Sequence, residues 1–362
     1  MDARPRLAAL RAGLAEAGVD ALVVSTLANV RYLTGFSGSA GLLLVTAHKA
    51  LLTTDGRYRT QAAEQLAQAG SAEAVELVVG GAPVQRDAVV GAAAGAARVG
   101  LEADAVTWSA QRRYAEAFAS AELVPTTAVV ENLRLVKDDG ELARMAEAAA
   151  IADAALGEVL ELLGAGRTET EVALALDTAM RRLGSQDRAF ETIVASGPNA
   201  AKPHARPTDR RIGPGDPVVI DFGATCDGYR SDMTRTFCVG GAPSAELAPL
   251  FTVVAEAQAA GVAAVAAGRT TGDIDRVCRD HIAAAGYGEA FEHGTGHGVG
   301  LDIHEAPSVA PGATTILTPG VVVTVEPGVY LAGVGGVRIE DTVVVTDSGC
   351  RPLTAFTKDT AA

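Results

Sequence analysis

The first third of the chain alternates short apolar runs with amphipathic segments. Residues 6–18 have the hydrophobic spacing of a helix, and residues 58–68 predict a second one. Apolar runs bounded by polar or Gly-rich turns predict four strands, at residues 21–25, 41–45, 50–54 and 75–79. Because strands and helices alternate, this part of the chain is predicted to form a mixed α/β layer.

The pattern changes near residues 124–136, after which longer amphipathic segments dominate. The polar stretch 137–140 opens the first of them. Helical spacing predicts four helices in this part, at residues 141–163, 169–183, 246–267 and 272–285, flanking an antiparallel sheet. The sequence therefore predicts two domains, residues 1–131 and 132–362.

A turn signal joins two strand-like runs in the second domain. Residues 217–224 and 229–239 are apolar and β-branched, and the Asp-Gly dipeptide at 227–228 predicts a two-residue hairpin turn. Counting outward from this turn makes Asp221 and Asp232 diagonal neighbours on one face, with Cβ atoms about 7 Å apart. Two such carboxylates repel each other unless a cation lies between them or one takes up a proton.

Two further β-branched runs each contain one glutamate. Glu326 ends the run 320–326, and Glu340 lies within the run 336–346. A buried glutamate is costly unless it is paired with a cation or binds a metal. Arg338 is two residues before Glu340 and faces the same side, so a salt bridge could account for Glu340. It would not account for Glu326.

Three histidines lie within twelve residues. His293, His297 and His304 alternate with glycines that allow close backbone approach, and this density favours a functional site over three unrelated structural histidines. His297 and the four acids are five candidate metal ligands: Asp221, Asp232, His297, Glu326 and Glu340. Four carboxylates and one imidazole suit two divalent cations in one cage, and Mn²⁺ is favoured over Zn²⁺, Co²⁺ or Fe²⁺.

The segments around these residues are similar to those of a known family. HGTGHGVGLDIHE and SDMTRTF, together with NVRYLTGFSGSAG and TDGRYRTQA near the N-terminus, resemble the creatinase, aminopeptidase P and prolidase family over nearly the whole chain. The resemblance implies an α/β N-terminal creatinase-like domain and an α+β C-terminal catalytic domain with the pita-bread fold, which methionine aminopeptidase shares. It also implies a homodimer.

The resemblance assigns a role to each candidate ligand. It implies that Asp221 binds one metal through both oxygens and that Asp232 and Glu340 bridge the two metals. His297 and Glu326 then complete the shell of one metal. The implied activity is hydrolysis of the Xaa-Pro bond at a peptide N-terminus or in a dipeptide by a metal-bridging hydroxide.

Four other side chains have implied roles around the metals. By the same resemblance, His204, His293 and His304 bind the substrate and stabilise the tetrahedral intermediate, and Arg338 lies close to the metal centre. Glu326 is the best candidate to move a proton to the leaving amine.

The composition fits this prediction. A net charge of −14 argues against a nucleic-acid partner, and no apolar stretch approaches the roughly 20 residues that span a bilayer. The first 18 residues lack the apolar core of a secretory signal, and the four cysteines have no CxxC spacing, so a cytoplasmic location is expected.

Other functions stay open at this point. A hydrolase of another small amide could use the same cage. A metal-free creatinase-like enzyme or a non-catalytic relative would lack part of the ligand set, and a methionine aminopeptidase would lack the N-terminal domain. The sequence does not decide between dipeptides and longer peptides.

Overall fold

The computed structural model describes residues 2–358 and divides the chain into two compact units. These are Met1–Arg134 and Leu135–Ala362, so the division lies three residues after the predicted one between residues 131 and 132. Among the described residues, no helix is both long enough and apolar enough to cross a bilayer.

The first unit is built on a six-stranded mixed sheet. Its strands are β1 (Ala21–Val24), β2 (Gly41–Thr46), β3 (Ala50–Thr54), β4 (Glu76–Val79), β5 (Arg98–Glu102) and β6 (Glu122–Thr126). The strand order is β4-β3-β2-β1-β5-β6. Pairing is antiparallel from β1 through β3 and parallel elsewhere. The four predicted strands and the mixed α/β character are confirmed, whereas β5 and β6 were not predicted.

Six helices accompany this sheet within residues 2–134. They are α1 (Arg4–Gly13), α2 (Leu27–Thr34), α3 (Arg59–Gln68), α4 (Ala82–Ala92), α5 (Trp108–Ala117) and α6 (Glu131–Arg134), with a 3₁₀ turn at Gly56–Tyr58. The helix predicted at residues 6–18 begins at Arg4 and ends at Gly13, and turns follow it to Gly18. The helix predicted at residues 58–68 is confirmed as α3.

The second unit contains the four predicted long helices. They are α7 (Asp139–Val159), α8 (Glu169–Arg182), α9 (Ala248–Ala264) and α10 (Thr271–Ala284), and 3₁₀ segments cover Leu160–Ala165, Gly197–Ala201 and Gly288–Ala290. Capping boxes begin three of these helices, at Asp138, Thr168 and Thr270. In each box the side chain accepts from the third helical backbone N–H, and the third side chain accepts from the cap residue's own N–H.

Among its residues 135–358, this unit also has twelve strands. They are β7 (Ile193–Ser196), β8 (Pro217–Phe222), β9 (Thr225–Cys226), β10 (Tyr229–Arg230), β11 (Met233–Cys238), β12 (Gly296–Gly298), β13 (Glu305–Val309), β14 (Val322–Val325), β15 (Gly328–Leu331), β16 (Gly335–Arg338), β17 (Asp341–Thr346) and β18 (Gly349–Pro352). They form sheets β11-β8-β7 and β13-β12-β14-β17-β18, with short pairs β9-β10 and β15-β16. The single predicted sheet is therefore divided into two sheets and two short pairs.

The predicted hairpin register is confirmed. Tyr229 pairs with Cys226 at the turn, and Met233 pairs with Phe222 further out. The pairs before and after Asp232, Arg230 with Thr225 and Met233 with Phe222, have the same register.

The prediction of one strand at residues 336–346 is wrong, because this stretch forms two strands, β16 and β17. β16 pairs with β15, whereas β17 pairs with β14 and β18, so the ladder breaks between Arg338 and Asp341. Glu340 lies in this break, where its backbone N–H donates to the Thr234 carbonyl oxygen at 3.1 Å. The β-branched pattern runs through the break because both strands are buried.

Each sheet packs against a pair of helices. α7 and α8 cover the apolar side of β8 and β11, and α9 and α10 pack against β14 and β17. Ile220 and Phe222 face the first core. Side chains alternate along a strand, so Asp221 between them points to the opposite face.

Candidate active site

Eight of the nine predicted site residues line one cavity of about 840 Å³ in the second unit. These are His204, Asp221, Asp232, His293, His297, His304, Glu326 and Arg338. The ninth, Glu340, is 1% exposed and lies behind the cavity wall.

The five candidate metal ligands form one connected group. Carboxylate oxygens of Asp221, Asp232 and Glu340 lie within 4.8 Å of one another. His297 Nε2 is 3.6 Å from Asp232 Oδ2 and 3.2 Å from Glu326 Oε1. Residues more than 100 positions apart in the sequence therefore meet here, on strands or directly beside strand ends.

The three clustered acids resist ionisation in the absence of a cation. Burial raises the pKa of Asp232 well above its usual value, and the charges of Glu340 and Asp221 raise it further. Burial likewise raises the pKa of Glu340, with the charges of Glu326 and Asp221 adding to it. The pKa of Asp221 is raised by burial, against the opposing charge of Arg338. These acids need a positive charge to be ionised together.

Two oxygens of this cluster have no protein partner. Within residues 2–358, four buried side-chain atoms have no hydrogen-bond partner, and two of the four are Asp221 Oδ1 and Glu340 Oε1. Buried carboxylate oxygens are normally satisfied, and an ion is one of the few explanations for an orphan. The donor set and these two oxygens fit divalent cations.

His297 and Glu326 form a hydrogen-bonded pair beside the three acids. Burial acts to raise the pKa of Glu326, but the hydrogen bond and the charge of His297 outweigh it and lower that pKa to about 2. His297 Nδ1 lies 3.0 Å from the Gly298 carbonyl oxygen, which leaves Nε2 directed at Asp232 and Glu326. Nε2 is thus the atom of His297 available to a cation.

Close backbone approach places His297 where it lies. A Cβ on Gly296 would be 2.1 Å from the Thr324 carbonyl oxygen, and one on Gly298 would be 2.2 Å from the Ala306 carbonyl oxygen. No residue with a side chain fits either position without backbone movement. The prediction that these glycines allow tight approach is confirmed.

Arg338 pairs with Asp221 and not with Glu340. Its Nη2 donates to Asp221 Oδ2 at 2.6 Å, and its Nε donates to Thr234 Oγ1 at 3.1 Å. The Thr234 hydroxyl in turn donates to Glu340 Oε2 at 2.7 Å. The salt bridge considered for Glu340 is therefore absent, although both side chains reach the same face. One oxygen of each acid is held in place, while the other is the orphaned one.

No sequence pattern pointed to Tyr330, which contacts two of the predicted site residues. Its hydroxyl accepts from Arg338 Nη1 at 2.9 Å and lies 2.9 Å from His293 Nε2. The Gly294 carbonyl oxygen can only accept, so in the neutral ring Nδ1 carries the proton and the Tyr330 hydroxyl donates to Nε2. His293 Nδ1 is 2.7 Å from the Gly294 carbonyl oxygen. Both nitrogens of this ring are thus occupied, and burial lowers its pKa.

His204 and His304 are better placed to meet a substrate. Neither ring has a hydrogen bond to another of the described residues. His304 contacts His297 edge-to-face, with ring centroids 4.3 Å apart, and burial followed by the charge of His297 lowers the pKa of His304. Both rings line the cavity beside the acids.

A buried acid on α10 holds the histidine-bearing segment. Asp275 accepts from the backbone N–H and the hydroxyl of Thr295 at 3.1 and 3.0 Å. Asp275 also pairs with Arg279, whose guanidinium donates to the carbonyl oxygens of Phe291 and His293. The helical i, i+4 spacing of Asp275 and Arg279 was a signal for this pair, though not for what it holds.

Comparison with known proteins agrees with this geometry. The profile of Metallopeptidase family M24 matches residues 143–347, and that of the Creatinase/Prolidase N-terminal domain matches residues 6–136. The chain belongs to metallopeptidase family M24. The predicted resemblance and both domain folds are confirmed, and the protein is a metallopeptidase of this family.

Relatives in this family match along the whole chain. An uncharacterized peptidase of Bacillus subtilis, YqhT, is 42% identical over 98% of this chain and 99% of its own length. The structure of an Xaa-Pro dipeptidase from Bacillus anthracis has a TM-score of 0.94 at 41% identity, covering 99% of each chain. An X-Pro aminopeptidase from Thermotoga maritima has a TM-score of 0.89 at 35% identity, covering 100% of each.

Proposed function

We propose that this protein hydrolyses the Xaa-Pro bond of dipeptides or of longer peptides at their N-terminus, with two divalent cations in the cavity. The carrying observation is the convergence of five ligands around two buried carboxylate oxygens that have no protein partner. The proline preference is supported by relatives named Xaa-Pro dipeptidase and X-Pro aminopeptidase.

Asp221, Asp232, His297, Glu326 and Glu340 would hold the cations. Carboxylate oxygens of Asp221, Asp232 and Glu340 lie within 4.8 Å of one another, so these three acids would contact the same cations. Mn²⁺ is the proposed metal, since four of the five ligands are carboxylates. When bound, the cations would supply Lewis acidity and make a water molecule easier to deprotonate.

The protein's own groups would handle protons and orient the substrate. Glu326 lies in the cavity wall beside His297 and is the proposed group to accept a proton and pass it to the leaving amine. His204 and His304 line the cavity with ring nitrogens that can donate to the scissile carbonyl oxygen as charge develops on it. Arg338, oriented by Tyr330, holds Asp221 in place.

A rate comparison tests the proposal. Purified protein is assayed with Ala-Pro, Ala-Pro-Ala and Ala-Ala-Ala, each with and without added Mn²⁺. We expect Mn²⁺-dependent cleavage of one or both proline substrates and little cleavage of Ala-Ala-Ala. Equal rates on Ala-Ala-Ala would contradict the proline preference, and no cleavage of any of the three would favour another small amide as substrate.

A further inference from the structure

Arg235 is a buried cation that the proposed chemistry does not use. It lies on β11 within the SDMTRTF motif, and its side chain is 2% exposed. Its Nη2 forms an ion pair with Asp341 Oδ1 at 2.9 Å. A buried guanidinium carries five N–H donors, so one carboxylate oxygen cannot satisfy it alone.

The remaining acceptors are backbone carbonyl oxygens from two places. On the side of the metal site, Nη1 donates to the carbonyl oxygens of Glu340 and of Thr234, the latter at 2.9 Å. On the other side, Nε donates to Phe356 O at 3.2 Å and to Thr357 O at 3.1 Å, and Nη2 donates to Phe356 O at 2.7 Å. One guanidinium thus connects a candidate metal ligand with the end of the described chain.

The C-terminal segment, residues 353–358, is docked by several further contacts. Two consecutive backbone N–H groups of the segment donate to the Asp153 carboxylate on α7. The Phe356 ring packs edge-to-face on Phe237, with centroids 6.4 Å apart. Lys358 Nζ lies 2.5 Å from Asp341 Oδ2. The segment is therefore held in one position, with its carbonyl oxygens directed at Arg235.

The backbone of Glu340 depends on these contacts more than a strand residue would. Glu340 lies in the break between β16 and β17 and is outside both ladders. Its N–H donates to Thr234 O, and its carbonyl oxygen accepts from Arg235. The guanidinium therefore fixes the backbone from which the Glu340 carboxylate projects toward Asp221 and Asp232.

We propose that the C-terminal segment acts through Arg235 as a positioning element for Glu340, so that docking of the segment raises the affinity of the site for divalent cations. This rests on the proposed function in one respect, namely that Glu340 is a metal ligand. When the segment undocks, the Nε–H and one Nη2–H of Arg235 lose their acceptors, and the guanidinium reorients toward other acceptors. The Glu340 carbonyl oxygen is then released, and the carboxylate loses its fixed direction.

Two variants of the full-length chain test this role. Phe356→Ala removes the ring that docks the segment, and Arg235→Lys keeps the charge but removes the forked geometry. The Mn²⁺ dissociation constant is measured by calorimetry on metal-free protein. We expect it to rise about 10- to 100-fold in both variants, as is usual when the groups that orient a ligand are lost. Because neither residue lines the cavity, kcat at saturating Mn²⁺ should return close to the wild-type value.

Matched controls separate positioning from general loss of stability. Phe356→Leu keeps an apolar side chain on Phe237 and should restore most of the affinity. Arg210→Lys alters another arginine of the same unit, paired with Asp216 at 2.6 Å, and should lower the melting temperature without changing Mn²⁺ affinity.

The outcomes distinguish the two proposals. Wild-type Mn²⁺ affinity in Phe356→Ala and Arg235→Lys, together with a lowered melting temperature, would mean that Arg235 is merely structural and would overturn the positioning role alone. A wild-type protein that binds no divalent cation would overturn the proposed function and this inference with it. Weakened binding in both variants, with wild-type binding in Arg210→Lys, would support the inference.

Discussion

Glu340→Gln should stabilise the metal-free protein while removing its response to metal. Glu340 lies with Asp221 and Asp232 in a cluster whose oxygens are within 4.8 Å of one another, and it is 1% exposed. At an effective dielectric constant of about 20, two unit charges at that separation repel by about 3.5 kcal/mol. Proton uptake already relieves part of this repulsion, because the pKa of Glu340 is raised by burial and by neighbouring acids.

The net gain in the variant is therefore smaller than the full repulsion. A glutamine can still accept from the Thr234 hydroxyl, and its amide N–H groups can donate to the neighbouring carboxylates. We expect the free energy of unfolding of the metal-free protein to rise by about 1–2 kcal/mol, which corresponds to about 2–8 °C in the melting temperature of a unit of this size. Calorimetry after exhaustive chelation measures it.

With metal bound, the wild-type protein should be more stable than Glu340→Gln. A ligand at 100 times its Kd stabilises a protein by about 2.7 kcal/mol, so wild-type protein should gain several degrees on addition of Mn²⁺. Glu340→Gln should gain little, because a neutral amide binds a divalent cation more weakly than a carboxylate does. An equal gain in both proteins would mean that Glu340 is not a ligand.

Glu169→Gln provides the matched control. Glu169 is also fully buried, but it accepts from the backbone N–H and hydroxyl groups of both Ser196 and Thr208. The same substitution turns an amide N–H toward these donors and should cost about 1–3 kcal/mol, with and without metal. If Glu340→Gln lowers the stability of metal-free protein as Glu169→Gln does, the repulsion argument is refuted.

Three further predictions concern the metals and the assembly. Exhaustive chelation should abolish peptidase activity and Mn²⁺ or Co²⁺ should restore it; full activity in protein shown by elemental analysis to be metal-free would contradict this. His297→Ala should lose bound metal, whereas His304→Ala should keep it and lose about 10²–10³-fold in kcat. Equal metal loss in the two variants would refute this division of roles. Light scattering should give about twice the chain mass of 36.7 kDa, and a value near that single mass would exclude the expected homodimer.

The sequence by itself determined what is local or strongly patterned. The Asp-Gly dipeptide specified the hairpin, because few two-residue turns join strands with the required twist, and the hairpin fixed the register of Asp221 relative to Asp232. The polar stretch 137–140 marked the start of α7, where Asp138 and Glu141 form a capping box. The candidate ligands stood out because acids in apolar strands are costly to bury without a compensating charge.

Only the tertiary structure decided which distant side chains pair with each other. Arg338 pairs with Asp221, which is 117 residues away, although Glu340 is two residues away. Tyr330 occupies His293, and Arg235 joins the C-terminal segment to Glu340. No local pattern predicts these contacts, because each joins residues that are far apart in the sequence and meet only when the strands pack together. A strand pattern fixes which face a side chain takes, and packing fixes the group that it meets there.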